Sequence, residues 1–312
     1  GKDEFGVSIH QKASGHVSSF SLPLNMTEFC TDMPEDLPPV SSTEGGALRL
    51  SLFPTFFSFR AQRMNHLLPL LDPARVPSPC FVLDEARLLA NAAILNSVQE
   101  RTHARILLAL KGYAAWATFP LLSRDAAKGG RGPLHGTCAS SVDEARLGRE
   151  EFGGEVHAFA AGWSDADMEE LLPLADHIVF NSLAQWEHFR PRIATYCRQS
   201  GRSIECGLRV NPEHSEGAVA IYNPCSPGSR LGIRPRHMPD TLPEGISGLH
   251  FHTLCEQGAD ALERTLQAVE RHFGAQLAQC RWINFGGGHH ITREDYDVDL
   301  LCRCIEHMER SY

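Results

Sequence analysis

This sequence of 312 residues lacks several features that would indicate a disulfide-linked, membrane, secreted or nucleic-acid-binding protein. Its ten cysteines form no C-x-x-C pair and no compact framework, which favours free, reduced thiols. The longest apolar patch, 48–59, is interrupted by Arg49 and Pro54 and is shorter than the roughly 20 residues that span a bilayer. No basic run is present to follow a phosphate backbone, and no basic and apolar leader opens the chain. We therefore expect a soluble, cytoplasmic protein whose partners are neither nucleic acids nor membranes.

The charge balance is acidic, with 29 Lys and Arg against 38 Asp and Glu and a net charge of -9. Acidity attracts cationic small molecules, but the same balance is common on ordinary cytosolic surfaces, so the charge alone carries little weight. Hydrophobic residues make up 42% of the chain and aromatic residues 8%, which is typical of a globular protein. The length accommodates one large barrel or two smaller domains.

Residues 1–63 differ from the rest of the chain, because Ser, Thr, Pro and Gly recur in them without a sustained helical or strand period. We predict that this segment is a disordered or non-native N-terminal extension. Met64 is a plausible native start, since organised sequence follows it and the chain opens on Gly1 rather than Met. The predicted folded domain is 64–312.

From Pro79 onward, short apolar runs alternate with longer amphipathic segments, the pattern of repeated βα units around a parallel sheet. Two helices open at hydroxyl N-caps followed by acidic residues, Ser141 and Ser164. The predicted strands are 106–111, 136–140, 155–161, 177–182, 204–210, 248–253 and 282–285. The other predicted helices are 84–100, 259–273 and 298–308, and the one capped by Ser164 covers 168–174.

Seven βα units favour a (β/α)8 TIM-type barrel over an open doubly wound sheet, because no G-x-G-x-x-G follows the first strand. One strand is missing after the seventh unit, so we expect a C-terminal truncation. In a barrel the working residues lie at the C-terminal ends of the strands and in the loops that follow. These positions hold Lys111, Ser140 and Ser141, Asn181 and Ser182, Arg209, Asn211, His252 and the run 286–290.

Lys111 follows the apolar run 106–110. Such surroundings are expected to desolvate its amine, which favours the neutral form that attacks a carbonyl. From position alone, a strand-end lysine that reaches solvent is the stronger interpretation. The glycines at 286–288 add context, since such a loop opens backbone N–H groups to an anion, although a tight turn explains three glycines equally well. A phosphate-bearing aldehyde cofactor would need both features.

His250 and His252 lie two residues apart, so strand alternation places both on one face. A metal site there is weakly supported, because no Asp or Glu at a fitting spacing joins them. His289 and His290 are adjacent and are expected to diverge at the strand exit. An imidazole that faces a flat cofactor is the simpler interpretation, and we predict no metal.

Taken together, these motifs resemble the fold-type III pyridoxal-phosphate decarboxylases, most closely the carboxynorspermidine/carboxyspermidine decarboxylase family. The resemblance runs from about Pro77 to Tyr312. The segments that carry it are PCFVLD at 79–84, ALKG at 109–112, ASSVDEARLG at 139–148, RVNP at 209–212, YNPC at 222–225, SRLG at 229–232, LHFHTLCE at 249–256 and NFGGGHH at 284–290. It implies a barrel of the alanine racemase-like fold.

The resemblance also implies a cofactor, pyridoxal 5'-phosphate, and a site. Lys111 would hold the cofactor and His252 would stack on its pyridine ring, both as catalytic residues. The other implied cofactor-binding residues are Ser140, Arg209, Gly286, Gly287 and Gly288. The implied reaction removes the carboxylate of carboxynorspermidine or carboxyspermidine in polyamine biosynthesis, and the implied full-length form is a homodimer.

The family pattern includes an eighth strand, whose glutamate faces the pyridine nitrogen, and a C-terminal β-domain, neither of which is in this sequence. We therefore expect this chain to be poorly stable and weakly active. Two alternatives stay open. One is another fold-type III decarboxylase, acting on diaminopimelate or a basic amino acid. The other is a non-catalytic pyridoxal-phosphate-binding barrel or an inactive fragment.

Overall fold

The computed structural model describes residues 82–217 and 221–312 with their side chains, and residues 5–13, 16–24 and 220 by their backbone. Nine strands form one sheet. They are β1 (Phe5–Ala13), β2 (His16–Leu24), β3 (Ala104–Ala109), β4 (Gly136–Ala139), β5 (Glu155–Phe159), β6 (His177–Phe180), β7 (Glu205–Arg209), β8 (Ile246–His250) and β9 (Trp282–Gly286). Strands β3 to β9 pair in parallel, each with the next. The predicted α/β class is confirmed as a parallel, seven-stranded half-barrel.

Helices connect these strands and bury one face against the sheet. They are α1 (Glu85–Thr102), α2 (Phe119–Leu122), α3 (Val142–Leu147), α4 (Asp165–Leu171), α5 (Leu183–Ser200), α6 (Ala259–Leu277) and α7 (Val298–Ser311). The predicted caps are confirmed, because Ser141 accepts from the Glu144 N–H and Ser164 forms a capping box with Asp167. In the described part of the chain, no helix combines the length and apolar character needed to cross a membrane.

The hairpin of β1 and β2 lies between the two end strands of the parallel set. β1 runs antiparallel to β3, and β2 runs parallel to β9, starting with Val17 opposite Trp282. The prediction that residues 1–63 form a disordered or non-native extension stays a prediction. Most of that segment, with the proposed start at Met64, lies outside the described residues.

Trp282 fills the sheet interior near the N-terminal ends of the strands. It is 1% exposed, and its indole N–H donates to the Ser247 hydroxyl at 3.0 Å. Gly207 and Gly248 leave room for the ring, because a Cβ on either would lie 2.3 or 2.1 Å from it. This packing closes one end of the interior, so the open cleft lies at the C-terminal ends of the strands.

The structure differs from the sequence prediction in two helices and in the strand ends, and the short helix α2 is one of the two. Helix α5 was not predicted, because Pro191 in its middle is a residue that usually ends a helix. It nevertheless starts at a clear cap, where Ser182 accepts from the Gln185 N–H. Most strands end one to three residues earlier than predicted, so Lys111, Ser140 and His252 lie in loops rather than in strands.

Candidate active site

A cleft opens where the C-terminal ends of the parallel strands meet. Its empty space, including the open mouth, is about 590 Å³. The cleft contains four of the predicted site residues: Lys111, Ser140, Arg209 and His252. The other lining residues are Ala109, Cys138, Ala139, His157, Ala158, Phe159, Val179, His250 and Asn284. The topology thus brings residues as far apart in the sequence as Ala109 and Asn284 into one pocket.

Lys111 lies two residues beyond β3, in a turn where the Gly112 N–H donates to the Ala109 carbonyl at 3.1 Å. β3 is almost wholly buried, whereas the Lys111 side chain is exposed. The expectation of a desolvated amine is therefore wrong, because the apolar strand ends before the lysine. Its charge still acts on the cleft, since it contributes to lowering the pKa of His250 and His252.

A hydrogen bond to one ring nitrogen fixes the orientation of the His252 side chain. Its Nδ1 accepts a hydrogen bond from the Gly287 N–H at 2.8 Å. Burial, helped by the charges of Lys111 and Arg209, holds the pKa of His252 well below its usual value. The ring is therefore neutral, with its proton on Nε2. His250 lies beside it, with ring centroids 6.4 Å apart and planes at 22°, so both histidines face the cleft as predicted.

The glycine run follows β9 in a conformation that other residues avoid. Gly286 and Gly288 have φ of 71° and 94°. A Cβ on Gly286 would lie 2.4 Å from the Phe251 carbonyl oxygen, and one on Gly288 would lie 2.0 Å from that of Leu254. The loop therefore requires glycine at both positions for space as well as for conformation.

Two of the three glycine amides are already used inside the protein. The Gly286 N–H donates to Asn284 Oδ1 and the Gly287 N–H donates to His252 Nδ1, both at 2.8 Å. Among the hydrogen bonds of the described residues, the Gly288 N–H alone of the three is uncommitted. The role of the glycine run as a phosphate-binding loop stays a prediction. Because the other two amides are engaged within the protein, the Gly288 N–H is the glycine amide left to donate to a phosphate.

We predict that Gly286→Ala destabilises the protein by roughly 3 kcal/mol, because strain at positive φ adds to a backbone clash. Gly201 is a matched control, since it has the same φ of 71° with no atom within 4 Å of an added Cβ. Gly201→Ala should cost only about 1 kcal/mol. Urea unfolding of both variants measures the difference, and equal costs would show that the Gly286 contacts are unimportant.

Arg209 and Ser140 occupy different depths of the cleft. Arg209 ends β7 and is 5% exposed, and its Nη2 donates to the His252 carbonyl at 3.1 Å. Burial lowers the pKa of Arg209 to about 10, so it keeps its charge at neutral pH. Ser140 is exposed at the mouth, where its hydroxyl donates to Glu144 Oε2 at 2.9 Å. Ser140 is thus tied to the start of α3.

Sequence reasoning missed several residues that line the cleft, among them Cys138, His157, Phe159, Val179 and Asn284. Each lies on the inward face of its strand. Along the sequence it is two residues, or a multiple of two, from a predicted site residue or from another side chain that points inward. Counting back in twos from the C-terminal end of each strand would have found them.

One group of side chains has the composition of a metal centre but not its geometry. Glu155, His157 and His177 bring their ligand atoms within 4.8 Å of one another. The two imidazoles are stacked with centroids 3.8 Å apart and planes at 11°, so their in-plane lone pairs run side by side rather than meeting at one ion. Glu155 also pairs with Arg105. These residues instead form a polar floor below the cleft.

His289 and His290 diverge, as expected for adjacent residues. His289 is fully buried and hydrogen-bonds through Nδ1 to the Tyr296 hydroxyl at 2.7 Å, whereas His290 is half-buried. The His290 N–H donates to the Gln257 carbonyl at 3.1 Å, and the Gln257 N–H donates to the Gly288 carbonyl at 2.9 Å. The pair therefore anchors the end of the glycine run to the segment that follows β8.

The chain is similar to curated decarboxylases over most of its length, although no protein-family profile matches it. It is 44% identical over 230 residues to a carboxyaminopropylagmatine decarboxylase of Synechocystis sp., which covers 74% of this chain and 56% of the relative. It is 36% identical over 238 residues to a carboxynorspermidine/carboxyspermidine decarboxylase of Campylobacter jejuni, covering 76% and 58%. The chain thus spans less than two thirds of these relatives.

Solved structures give the same result. The crystal structure of carboxynorspermidine decarboxylase complexed with norspermidine from Campylobacter jejuni matches with a TM-score of 0.65 at 35% identity, over 76% of this chain and 57% of that one. Diaminopimelate decarboxylase from Helicobacter pylori complexed with L-lysine matches with a TM-score of 0.56 over 79% and 62% of the chains. At 15% identity, the second likeness shows the fold alone.

The fold and these likenesses define the class: the chain has the α/β barrel of the fold-type III decarboxylases. The relatives that it matches within that class include carboxynorspermidine/carboxyspermidine decarboxylases and a carboxyaminopropylagmatine decarboxylase, in agreement with the resemblance that its motifs carry.

Proposed function

We propose that this protein is a pyridoxal-phosphate-dependent carboxy-lyase that converts carboxynorspermidine or carboxyspermidine to norspermidine or spermidine. The observation that carries the proposal is the convergence of Lys111, His252 and Arg209 on one cleft beside the glycine run. In the cleft, the exposed amine of Lys111 can bind an aldehyde and the flat, neutral ring of His252 can stack on an aromatic ring. The buried cation of Arg209 can pair with an anion. A flat, anionic aldehyde fits this donor set. The cation Arg209 and the glycine run, in which Gly286 and Gly288 have no room for a Cβ, support the same cofactor.

When bound, pyridoxal phosphate supplies the electron sink for the pair left behind as the carboxylate departs as CO₂. The chain's own residues supply the surroundings. Ala109, Ala139, Ala158 and Val179 make part of the wall apolar, which disfavours a charged carboxylate relative to neutral CO₂. Lys111, at the mouth, is placed to hold a proton on Nζ and return it to the carbon that loses the carboxylate.

The neutral state of His252 suits its proposed role. Because Nδ1 accepts from Gly287, rotation of the ring would break a hydrogen bond, and the imidazole keeps one orientation in the cleft. A protonated ring would place a third cation beside Lys111 and Arg209, which the low pKa of His252 prevents. His252 therefore offers a flat, uncharged surface against which an aromatic ring can stack.

Carboxyaminopropylagmatine is a second candidate substrate, because the relative named for it is 44% identical to this chain. All these molecules combine a carboxylate with a cationic amine chain, which agrees with the net charge of -9. CO₂ release from carboxynorspermidine, carboxyspermidine, carboxyaminopropylagmatine and diaminopimelate tests the proposal. We expect release from the polyamine precursors at rates at least tenfold above that from diaminopimelate. A preference for diaminopimelate would overturn the substrate assignment.

We further propose that the protein works in the cytoplasm as a homodimer, without nucleic acid or membrane as a partner. Support for a reducing compartment comes from the ten cysteines of the sequence, which form no C-x-x-C pair and no compact framework. Support for a dimer comes from large apolar side chains that stay exposed in the described chain, namely Trp116, Ile221 and Tyr222. Light scattering of the purified protein tests the oligomeric state.

A further inference from the structure

We propose that Asn284 is a positioning residue of the cleft, whose side-chain oxygen holds His250 directly and His252 through the glycine run. This inference rests on the proposed function in taking the cleft as the active site, and it adds a residue that the sequence did not predict. Asn284 is 4% exposed, lines the cleft and precedes Gly286 by two residues. It acts through the two rings that it orients, so it need not touch a ligand itself.

The first bond of Asn284 fixes the start of the glycine run. The Gly286 N–H donates to Asn284 Oδ1 at 2.8 Å, which forms an Asx turn between residues two apart. A backbone N–H can only donate, so the asparagine must present its oxygen at this place. Gly286 has a φ of 71°, and the Gly287 N–H that follows it donates to His252 Nδ1 at 2.8 Å. The turn therefore aims the amide that orients the His252 ring.

The second bond of Asn284 goes to His250, its ladder partner on the neighbouring strand β8. Hydrogen bonds to the side chain and the backbone of Asn284 raise the pKa of His250, which identifies the ring as the donor and the Asn284 oxygens as acceptors. Nδ1 of His250 has no hydrogen-bond partner among the described residues, so the donor is Nε2–H. One oxygen, Asn284 Oδ1, thus accepts from both His250 and Gly286.

An amide at this place, rather than a carboxylate, leaves His250 neutral. His250 is 7% exposed, and burial lowers its pKa to about 3, helped by the charges of Arg209 and Lys111. The rings of His157 and His252 also interact electrostatically with it, and burial keeps both of them neutral. A carboxylate in place of the amide would accept the same bonds but add a negative charge, which favours the protonated ring. The asparagine therefore sets both the tautomer and the charge of His250.

Three substitutions separate the two bonds of Asn284. Asn284→Ser keeps an oxygen that can accept from the Gly286 N–H in the equivalent turn, but its side chain ends one bond short of the amide oxygen that reaches His250. Asn284→Asp keeps both acceptors and adds a charge, whereas Asn284→Ala removes both acceptors. Asn223→Asp is the matched control, because Asn223 Oδ1 accepts from the Cys225 N–H at 2.8 Å in the same kind of turn and does not line the cleft.

The readout is the protonation of the histidine ring nitrogens, followed by NMR from pH 8 to pH 5 on the purified full chain without cofactor. Substituting His250 or His252 by glutamine assigns their signals. In the wild type we expect both rings to stay neutral with the proton on Nε2. Asn284→Asp should raise the pKa of His250 by roughly 1–3 units. Asn284→Ser should mix the two tautomers of His250 and leave His252 unchanged, Asn284→Ala should change both rings, and Asn223→Asp neither.

An unchanged His250 tautomer in Asn284→Ser and Asn284→Ala, or an unshifted His250 pKa in Asn284→Asp, would overturn the proposal. Equal changes of both rings in Asn284→Ser would also overturn it, because they would show a general loss of packing. If Asn284→Ala does not fold, the serine and aspartate variants decide alone. In the loaded enzyme, decarboxylation should fall about a hundredfold in Asn284→Ala and less in Asn284→Ser. A wild type that does not decarboxylate would defeat the proposed function, whereas the histidine signals would still test Asn284.

Discussion

Lys111→Ala should abolish cofactor uptake and lower the rate of decarboxylation at least a thousandfold, because the variant removes the amine that binds the aldehyde and moves the proton. Lys128→Ala is the matched control. Lys128 is also an exposed lysine in a turn region, and its amine donates to the Glu150 carbonyl outside the cleft. Visible absorbance after incubation with pyridoxal phosphate measures uptake, and CO₂ release measures the rate.

Because lysine is scarce in this sequence, few other side-chain amines can bind the aldehyde in this comparison. The sequence contains four lysines, Lys2, Lys12, Lys111 and Lys128, among 29 basic residues. Nonspecific attachment of an aldehyde to surface amines is correspondingly limited. An absorbance band of full intensity in Lys111→Ala would contradict the assignment, whatever its activity. A band lost in both variants would point to a general loss of folding, which circular dichroism detects.

Acid should unfold this protein steeply below pH 6.5, because several histidines are buried in their neutral form. Burial lowers the pKa of His157, His250 and His289 to about 3 each. An unfolded chain binds protons on these groups below about pH 6.5, whereas the folded chain does not. These groups therefore leave the free energy of unfolding unchanged above pH 6.5, and they lower it progressively as the pH falls towards 3. Each histidine costs about 1.4 kcal/mol per pH unit in that window.

Three such groups together predict a loss of about 4 kcal/mol per pH unit, which over two units is comparable with the whole stability of a typical domain. Urea unfolding at pH 7.5, 6.0 and 5.0 measures this slope. His289→Phe should reduce the slope by about 1.4 kcal/mol per pH unit, whereas His272→Gln, which changes an exposed histidine, should leave it unchanged. A stability that is flat from pH 7.5 to 5.0 would contradict the neutral, buried state of these groups.

Much of the fold could be predicted because the alternation of apolar runs and amphipathic segments has few structural solutions. All seven parallel strands were found in order, and the Ser141 and Ser164 caps start helices where predicted. Strand ends were less accurate, since the sequence shows where apolar residues stop but not where the last ladder hydrogen bond lies. Helix α5 was missed because a local rule about Pro191 is overridden by tertiary packing of Trp186, Phe189 and Ile193.

The candidate site was predictable in part of its membership but not in its bonding. Strand-end position and family motifs placed Lys111, Arg209 and His252 together, and the structure brings them to one cleft. Nothing in the sequence shows that His252 and Asn284 occupy two of the glycine amides, since those bonds join segments about 35 residues apart or depend on a turn. Burial of Arg209 is likewise a property of the assembled sheet.

The central claim is that Lys111 is the residue to which the cofactor attaches. Borohydride reduction of the protein loaded with pyridoxal phosphate, followed by peptide mass mapping, tests it most directly because only four lysines compete. The account predicts one pyridoxyl group per chain, on the peptide that contains Lys111. A modified peptide carrying Lys128 or an N-terminal lysine, with Lys111 unmodified, would contradict it.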